Sequence, residues 1–258
     1  MSDATAEQIR EELSTWLDEN WDPDLTVRDW WFRLAADGWA HPALPEAAGG
    51  RGYGGAQMAA VNATMADARV LGPPVGLGYM LAAPTIAMHG TQEQVDRLVV
   101  PILDGTVGWC QLFSEPGAGS DLAGLQARAV RDGDEWIVTG QKVWTSLAES
   151  SDWCFALCRT DFEAPKHKGI SCLLIPMNQP GIQIVPIGSL ATISGVHLHI
   201  GHTEIARQPR RSIVHLCGCR KNPPYGGYWH RTARAWSVLP IPEYRPRAPR
   251  SFLSAGKA

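Results

Sequence analysis

The chain has 258 residues, which suits one large domain or two smaller ones, and its 45% apolar share is enough for a globular core. Its formal net charge of −3 gives the chain as a whole no electrostatic attraction for nucleic acid. No apolar run approaches the ~20 residues of a membrane span and no secretory signal precedes the cysteines, so we expect a cytoplasmic protein with reduced, mostly buried thiols.

The N-terminal residues carry helical patterns. Apolar residues recur at helical spacing in residues 5–19 and again in 24–37, where Gly38 ends the pattern. The next segment, GWAHPALPEAAGGRGYGG, is dense in glycine and proline and predicts a loop. An Ala- and Met-rich stretch with little β-branching predicts a third helix over 55–71.

Helix signals continue to about Leu103. Breaks are expected at Pro84 and at His89-Gly90, and Thr91 is a good N-cap for the segment that follows. The sequence therefore predicts an all-α N-terminal domain over residues 1–106.

From about Val107 the pattern changes to short apolar stretches of period two. These are EWIVTG, DWCFALCRT, ISCLLIPM and GIQIVPI, separated by turn signals such as Pro180-Gly181. The sequence predicts a strand-and-turn domain over 107–194, folded as a barrel or a sandwich. Helices followed by strands predict an α+β chain with two segregated domains.

After position 190 the composition changes again. Eleven basic and two acidic residues give this end a net charge of +9, whereas the rest of the chain is −12. Only ATISGVHLHI has a pattern that can extend the sheet. This composition predicts that residues 195–258 are a disordered basic tail that forms no packed domain.

The strongest local signal is the segment Ser114-Glu115-Pro116-Gly117-Ala118-Gly119-Ser120-Asp121. It follows the strand-like WCQLF and forms a Gly-rich turn with two hydroxyls. Such a turn exposes backbone N–H groups that can cradle phosphate or carbonyl oxygens, although an ordinary hairpin loop has the same composition.

A second signal, Gly140-Gln141-Lys142-Val143-Trp144-Thr145-Ser146, follows the strand EWIVTG. A tryptophan followed two residues later by a hydroxyl can cover an aromatic ligand and donate a hydrogen bond to it. The alternative is a core tryptophan beside a solvent-facing serine.

Together and in this order, the two motifs resemble the acyl-CoA dehydrogenase family. The upstream loop, the segment HGTQEQVDRLVVPILDG and the later GISCLLIPMNQPGIQIVPIGSL also resemble family segments. The resemblance runs from about residue 5 to residue 194. It implies that residues 107–194 form an incomplete β-barrel-like middle domain. It also implies an FAD that lies against this domain and an acyl-CoA thioester on its flavin.

The resemblance also implies roles for individual residues. Gln111, Leu112, Phe113 and Ser114 would contact the pyrimidine edge of the flavin. Gly119 and Ser120 would lie near the FAD pyrophosphate, with Ser120 also near the CoA portion of the substrate. The turn Trp144-Thr145-Ser146 would shield one flavin face and place the Ser146 hydroxyl at N5, which tunes the electron-rich reduced flavin. One departure is Leu147-Ala148, where many members have Asn-Gly.

The reaction implied is α,β-dehydrogenation of an acyl-CoA, in which a carboxylate removes the α-proton. The family carries this glutamate in a C-terminal helical domain, which the sequence predicts to be absent, and neither Glu204 nor Glu243 lies in a matching segment. We therefore expect an incomplete or inactive enzyme with weak or substoichiometric FAD. One alternative is a non-catalytic partner subunit in a hetero-oligomeric dehydrogenase, and another is a binding module that acts through the basic tail.

The stop in the family pattern after Ser194 predicts a change of reading frame. The family usually continues there with Glu-Phe, whereas this chain has Gly195-Val196-His197. The codons of these three residues can read Glu-Phe when they are shifted forward by one base. An authentic disordered tail is the alternative.

The tail offers little evidence for other functions. His215, Cys217 and Cys219 lack the second ligand pair of a zinc framework, so no metal site is predicted. Basic and aromatic residues alternate in GGYWHRTARAW, but no folded platform surrounds them, so nucleic acid is not an expected partner.

Overall fold

The computed structural model describes residues 3–133 and 135–187 and, beyond them, the backbone of strands at 195–200, 206–209 and 213–214. Its first part is helical, as the sequence predicts. The helices are α1 (Ala6–Asn20), α2 (Val27–Ala36), α3 (Gly55–Asp67), α4 (Ala83–His89), α5 (Gln92–Leu98) and α6 (Val100–Leu103), with a 3₁₀ turn at Glu46–Ala48 and a π-helical turn at Gly78–Ala82.

Side-chain caps explain where three helices begin. The Thr91 hydroxyl accepts a hydrogen bond from the Gln94 N–H at 3.2 Å, and the Gln94 side chain accepts one from the Thr91 N–H at 3.0 Å. This capping box satisfies two otherwise unpaired amides at the start of α5 and confirms the predicted N-cap. Thr5 and Thr26 cap α1 and α2 through the same kind of side-chain acceptor.

The expected break at Pro84 is wrong. Helical backbone runs from the π-helical turn straight into α4, with Pro84 in its first turn. A proline ring clashes with the carbonyl four residues before it, and at the start of a helix this clash and the missing N–H matter least. The wider π-helical turn that precedes Pro84 gives that carbonyl additional room.

In the described residues, the second part is a curled sheet of nine strands. Its strands are β1 (Trp109–Leu112), β2 (Arg128–Asp132), β3 (Glu135–Lys142), β4 (Trp153–Arg159), β5 (Ile170–Pro176), β6 (Ile182–Ile187), β7 (Gly195–Ile200), β8 (Ala206–Pro209) and β9 (Ile213–Val214). The order along the main path is β6-β7-β3-β2-β4-β5-β9, with β1 pairing in parallel with β4 and β8 pairing with β3. A helical domain followed by an incomplete barrel confirms the predicted α+β class.

Successive side chains along β4 pack alternately into two hydrophobic clusters. Trp153, Phe155 and Leu157 pack with the helices in one continuous cluster, which therefore joins the helical domain to the sheet. The intervening Cys154 and Cys158 face the other side and pack with small residues of neighbouring strands. This period of two is what a strand buried on both faces requires.

The described sheet runs past residue 194. Strand β7 pairs with β6 and β3, and β8 and β9 add short pairings to β3 and β5. These strands fall in the stretch for which the sequence predicts a disordered tail, whereas His215, Cys217 and Cys219 lie outside the described residues. The division at residue 194 stays a prediction.

Two properties of the described part bear on the sequence analysis. The cysteines Cys110, Cys154, Cys158 and Cys172 are buried, as the sequence predicts, and they form no disulfide with one another. Across the same residues, no helix combines the length and the apolar character that crossing a membrane requires.

Candidate functional site

The Gly-rich loop begins where β1 ends. Glu115 and Ala118 exchange two backbone hydrogen bonds, of 2.9 and 3.1 Å, which close a tight turn around Pro116-Gly117. A Cβ added at Gly117 or at Gly119 would meet no heavy atom within 4 Å, so this rim of the loop faces open space. Ser114 is half-buried at the start of the loop, whereas Ser120 is exposed at its end.

The second motif lies directly beside this loop. The Val143 N–H donates a 2.9 Å hydrogen bond to the Ser114 carbonyl, which joins the two motifs 29 residues apart in the chain. The tertiary structure therefore brings together residues that the sequence offered as two separate signals.

The turn after Val143 has an unusual backbone. Trp144 has φ +60° and Leu147 φ +64°, in the left-handed region that side-chain-bearing residues rarely adopt. Leu147 stands at a position where the family resemblance has Asn, and Asn tolerates this conformation far better than Leu. Backbone held in such a region by its surroundings is concentrated at functional sites.

The side chains of this turn alternate between exposed and buried. Trp144 is 71% exposed, an unusual state for the largest apolar side chain, and Ser146 is exposed two residues later. Thr145, between them, is buried, and its hydroxyl has no hydrogen-bond partner among the described residues. The turn therefore presents a large ring and a hydroxyl on its outer side.

The second motif contains a fully buried lysine that contacts the first motif. Lys142 is 0% exposed, and its ammonium donates to three acceptors. These are the Glu115 Oε1 at 2.8 Å, the Leu157 carbonyl at 2.7 Å and the Phe113 carbonyl at 3.1 Å. Three donors with three acceptors satisfy the ammonium completely, as burial of a charge demands.

The Glu115 carboxylate is satisfied in the same way. Its Oε1 also accepts the Ala127 N–H at 2.9 Å, and its Oε2 accepts the Gln126 N–H at 2.6 Å. The ion pair therefore joins the ends of β1 and β3, the middle of β4 and the segment that leads into β2. Burial raises the pKa of the neighbouring Cys158 thiol to about 11, so this group stays neutral beside the pair.

Hydrogen bonds from Arg159 fix the far end of the Gly-rich loop. The guanidinium donates to the Ala123 carbonyl at 2.9 Å and to the carbonyls of Lys166 and Lys168 at 3.2 Å each. Lys166 forms an exposed ion pair with Asp121. The loop that joins β4 to β5 thus packs along the segment that follows Ser120.

The predicted site residues fall into two groups. Ser114 and the segment Trp144-Thr145-Ser146 are held together through Val143, and Gln111, Leu112 and Phe113 lead into this contact along β1. Gly119 and Ser120 lie on the exposed rim, and no described contact joins them to the tryptophan turn. Their roles toward a cofactor or substrate stay predictions.

Sequence reasoning named Lys142 and Glu115 only as members of the two motifs and did not pair them. One signal was available, because Lys142 ends β3 and Glu115 lies just after β1, and a charge that is buried beside a strand requires a partner of opposite sign.

Comparison with known proteins identifies the family. The model of the acyl-CoA dehydrogenase N-terminal domain matches residues 1–106, and that of the acyl-CoA dehydrogenase middle domain matches residues 110–204. Acyl-CoA dehydrogenase FadE34 of Mycobacterium tuberculosis is 51% identical over 138 residues, which cover 54% of this chain and 19% of the relative. Acyl-CoA dehydrogenase IpdE1 of the same organism is 47% identical over 160 residues, 62% of this chain and 42% of the relative.

Solved structures agree with this assignment. The ChsE4-ChsE5 complex from Mycobacterium tuberculosis matches with a TM-score of 0.61 and 30% identity over 83% of this chain and 57% of that one. The Tcur3481-Tcur3483 steroid ACAD matches with a TM-score of 0.60 and 30% identity over 83% and 58%. The chain spans about half the length of these structures and of IpdE1. Two adjoining family domains, in order and over most of its residues, show that this chain belongs to the acyl-CoA dehydrogenase family.

Proposed function

We propose that residues 111–146 form one side of an FAD site and that the chain serves the α,β-dehydrogenation of an acyl-CoA thioester. The observation that carries the proposal is the hydrogen bond from the Val143 N–H to the Ser114 carbonyl. It places the Gly-rich loop and the tryptophan turn side by side, as one aromatic cofactor with a phosphate tail requires.

The described residues fit such a cofactor. The open rim at Gly117 and Gly119 leaves room for close approach of a phosphate group, and exposed backbone amides of a Gly-rich turn favour anions. The exposed Trp144 ring offers a flat apolar surface, and the exposed Ser146 hydroxyl offers a donor beside it. Bound FAD would supply the hydride acceptor of the reaction.

The proposed roles of the residues follow from these positions. Trp144 covers one flavin face and excludes water from it. Ser146 donates a hydrogen bond at N5, and Ser114, fixed through its own carbonyl, contacts the pyrimidine edge. We assign the base that removes the α-proton to no described residue, because the resemblance places it beyond the two matched domains.

FAD titration of the purified full-length chain tests the proposal. We expect weak binding with less than one FAD retained per chain after gel filtration, because these residues form one side of the site only. Ser146→Ala and Ser114→Ala should each raise the FAD dissociation constant by about tenfold, the effect of losing one hydrogen bond to a bound group. Ser14→Ala, at an exposed position on α1, is the control and should change nothing.

Two results would contradict the proposal in different ways. Absence of any flavin binding at high FAD concentration would reject the FAD site itself. A stable yellow protein with one FAD per chain would reject the idea that these residues form only part of the site.

A second candidate function is that of a partner subunit. Two of the matched structures, ChsE4-ChsE5 and Tcur3481-Tcur3483, are named as pairs of different gene products. In this reading the chain contributes its tryptophan turn to a site completed by another acyl-CoA dehydrogenase chain. Co-expression with a family member encoded beside its gene, followed by gel filtration and flavin quantification, tests it; separate elution of the two chains would reject it.

A further inference from the structure

We infer that the buried Lys142–Glu115 ion pair is a positioning device for the flavin side of the site, beyond its contribution to stability. The inference rests on the proposed function, because it gives a role at the proposed FAD site to two residues that do not themselves touch the cofactor.

The geometry around Ser114 carries the first step. The Lys142 ammonium holds the Phe113 carbonyl at 3.1 Å, and the Val143 N–H holds the Ser114 carbonyl at 2.9 Å. The two peptide planes that flank Ser114 are therefore both held in place, one by the Lys142 side chain and the other by the Val143 backbone. Because a peptide unit is planar, fixing the Phe113 carbonyl also fixes the direction of the Ser114 N–H on the opposite edge.

The same pair controls the tryptophan turn. Lys142 is the last residue of β3, and it precedes Trp144 by two residues. The hydrogen bonds of its ammonium therefore hold the chain in place just before the turn. The hydrogen bond to the Leu157 carbonyl, at 2.7 Å, ties this part of the chain to the middle of β4. Trp144 at φ +60° is a strained residue that persists only when its surroundings determine the backbone on both sides.

The type of interaction separates this role from simple stabilisation. Replacing both members of a buried ion pair by neutral residues of similar size often leaves stability unchanged, whereas removing one member leaves a buried charge unpaired. An apolar side chain at position 142, however, cannot donate to the carbonyls of Phe113 and Leu157. The charged lysine satisfies both carbonyls and the carboxylate at once, which a pair needed only for packing would not require.

The experiment compares three variants of the full-length chain, Lys142→Met, Glu115→Gln and the double variant. Thermal unfolding and FAD titration by quenching of flavin fluorescence are measured on each. We expect both single variants to lose thermal stability. The double variant should recover only part of it, because no charge is left unpaired but the carbonyls of Phe113 and Leu157 still lack their donor. The FAD dissociation constant should nevertheless stay raised by about tenfold or more in the double variant, the effect of a misplaced hydrogen-bonding group.

Arg51→Met is the matched control. Arg51 pairs with Glu12 at 2.7 Å and lies over the Trp39 ring at 3.5 Å, all within the helical part of the chain. Its removal should lower thermal stability and leave the FAD dissociation constant unchanged. A rise in that constant in this control would show that any loss of stability weakens FAD binding, and it would overturn the inference.

Hydrogen exchange gives a readout that does not depend on FAD. In the double variant, peptides covering 113–116 and 143–148 should exchange faster than in the wild type, while peptides from α1 stay protected. If the wild-type chain bound no FAD, the proposed function would fail and exchange alone would decide whether the pair positions the two motifs. If FAD affinity and exchange in the double variant both equalled those of the wild type, the inference would be wrong.

Discussion

Gly140 is a position where one added methyl group should have a large effect. A Cβ added there would lie 2.5 Å from the Cβ of Ala127 and 2.7 Å from its Cα. Directly opposed residues of an antiparallel pair normally keep their Cβ atoms about 4.5–5.5 Å apart. Gly140→Ala therefore forces β3 away from the segment that leads into β2.

Ala127 cannot retreat without breaking other bonds. Its N–H donates to the Glu115 carboxylate at 2.9 Å, and its carbonyl accepts the Arg159 N–H at 2.8 Å. Inserting a methyl group into such a packed position costs about 1–3 kcal/mol. For a chain of this size, each kcal/mol lowers Tm by about 2–4 °C, so we expect a fall of about 2–12 °C.

Thermal unfolding followed by circular dichroism measures the effect, and a second substitution tests its cause. Ala127→Gly in the same chain removes the 2.5 Å contact but leaves the 2.7 Å contact with the Cα, so rescue should be partial. Gly55→Ala, at the start of α3 with no heavy atom within 4 Å, is the control and should lose no stability. A Tm for Gly140→Ala within about 1 °C of the wild type would refute the reasoning from close approach.

Three further predictions follow from other parts of the chain. Burial lowers the pKa of His41, which stacks on Tyr79 at 4.4 Å, so below the ordinary value of 6.5 the unfolded chain binds more protons than the folded one. Thermal stability should fall from about pH 7.5 to about pH 5.5, and His41→Gln should flatten this dependence. Burial also lowers the pKa of His89, so His89→Gln measures the part of the dependence that comes from that residue. Translation of the gene in the +1 frame from codon 195 should give Glu-Phe and a long helical continuation, and early stop codons there would reject the frame change. The 258-residue chain alone should not reduce an artificial electron acceptor with any acyl-CoA, since a positioned base contributes about 10²–10⁴-fold; robust turnover would contradict this and make Glu204→Gln and Glu243→Gln the next variants to assay.

Up to residue 187, local patterns were sufficient to distinguish helical from strand segments. Helical spacing places α1, and the Thr91 cap places the start of α5, within one or two residues of the structure. Period-two stretches locate β3 to β6. The failure at Pro84 has a physical origin, because the cost of a proline depends on where the helix begins and on whether a wider turn precedes it. Neither condition is visible in the periodicity of the sequence.

The sequence by itself determined the two motifs, their order and the family they resemble, because hydrophobic period, caps and turn residues act between near neighbours. Only the tertiary structure decided that the Val143 N–H meets the Ser114 carbonyl and that the Lys142 ammonium satisfies acceptors on β4 and just after β1. Those contacts depend on the parallel pairing of β1 with β4 and on β3 reaching the end of β1. Pairing of this kind is set by the burial of whole strand faces, so the geometry of the site emerges from the packed sheet rather than from either motif alone.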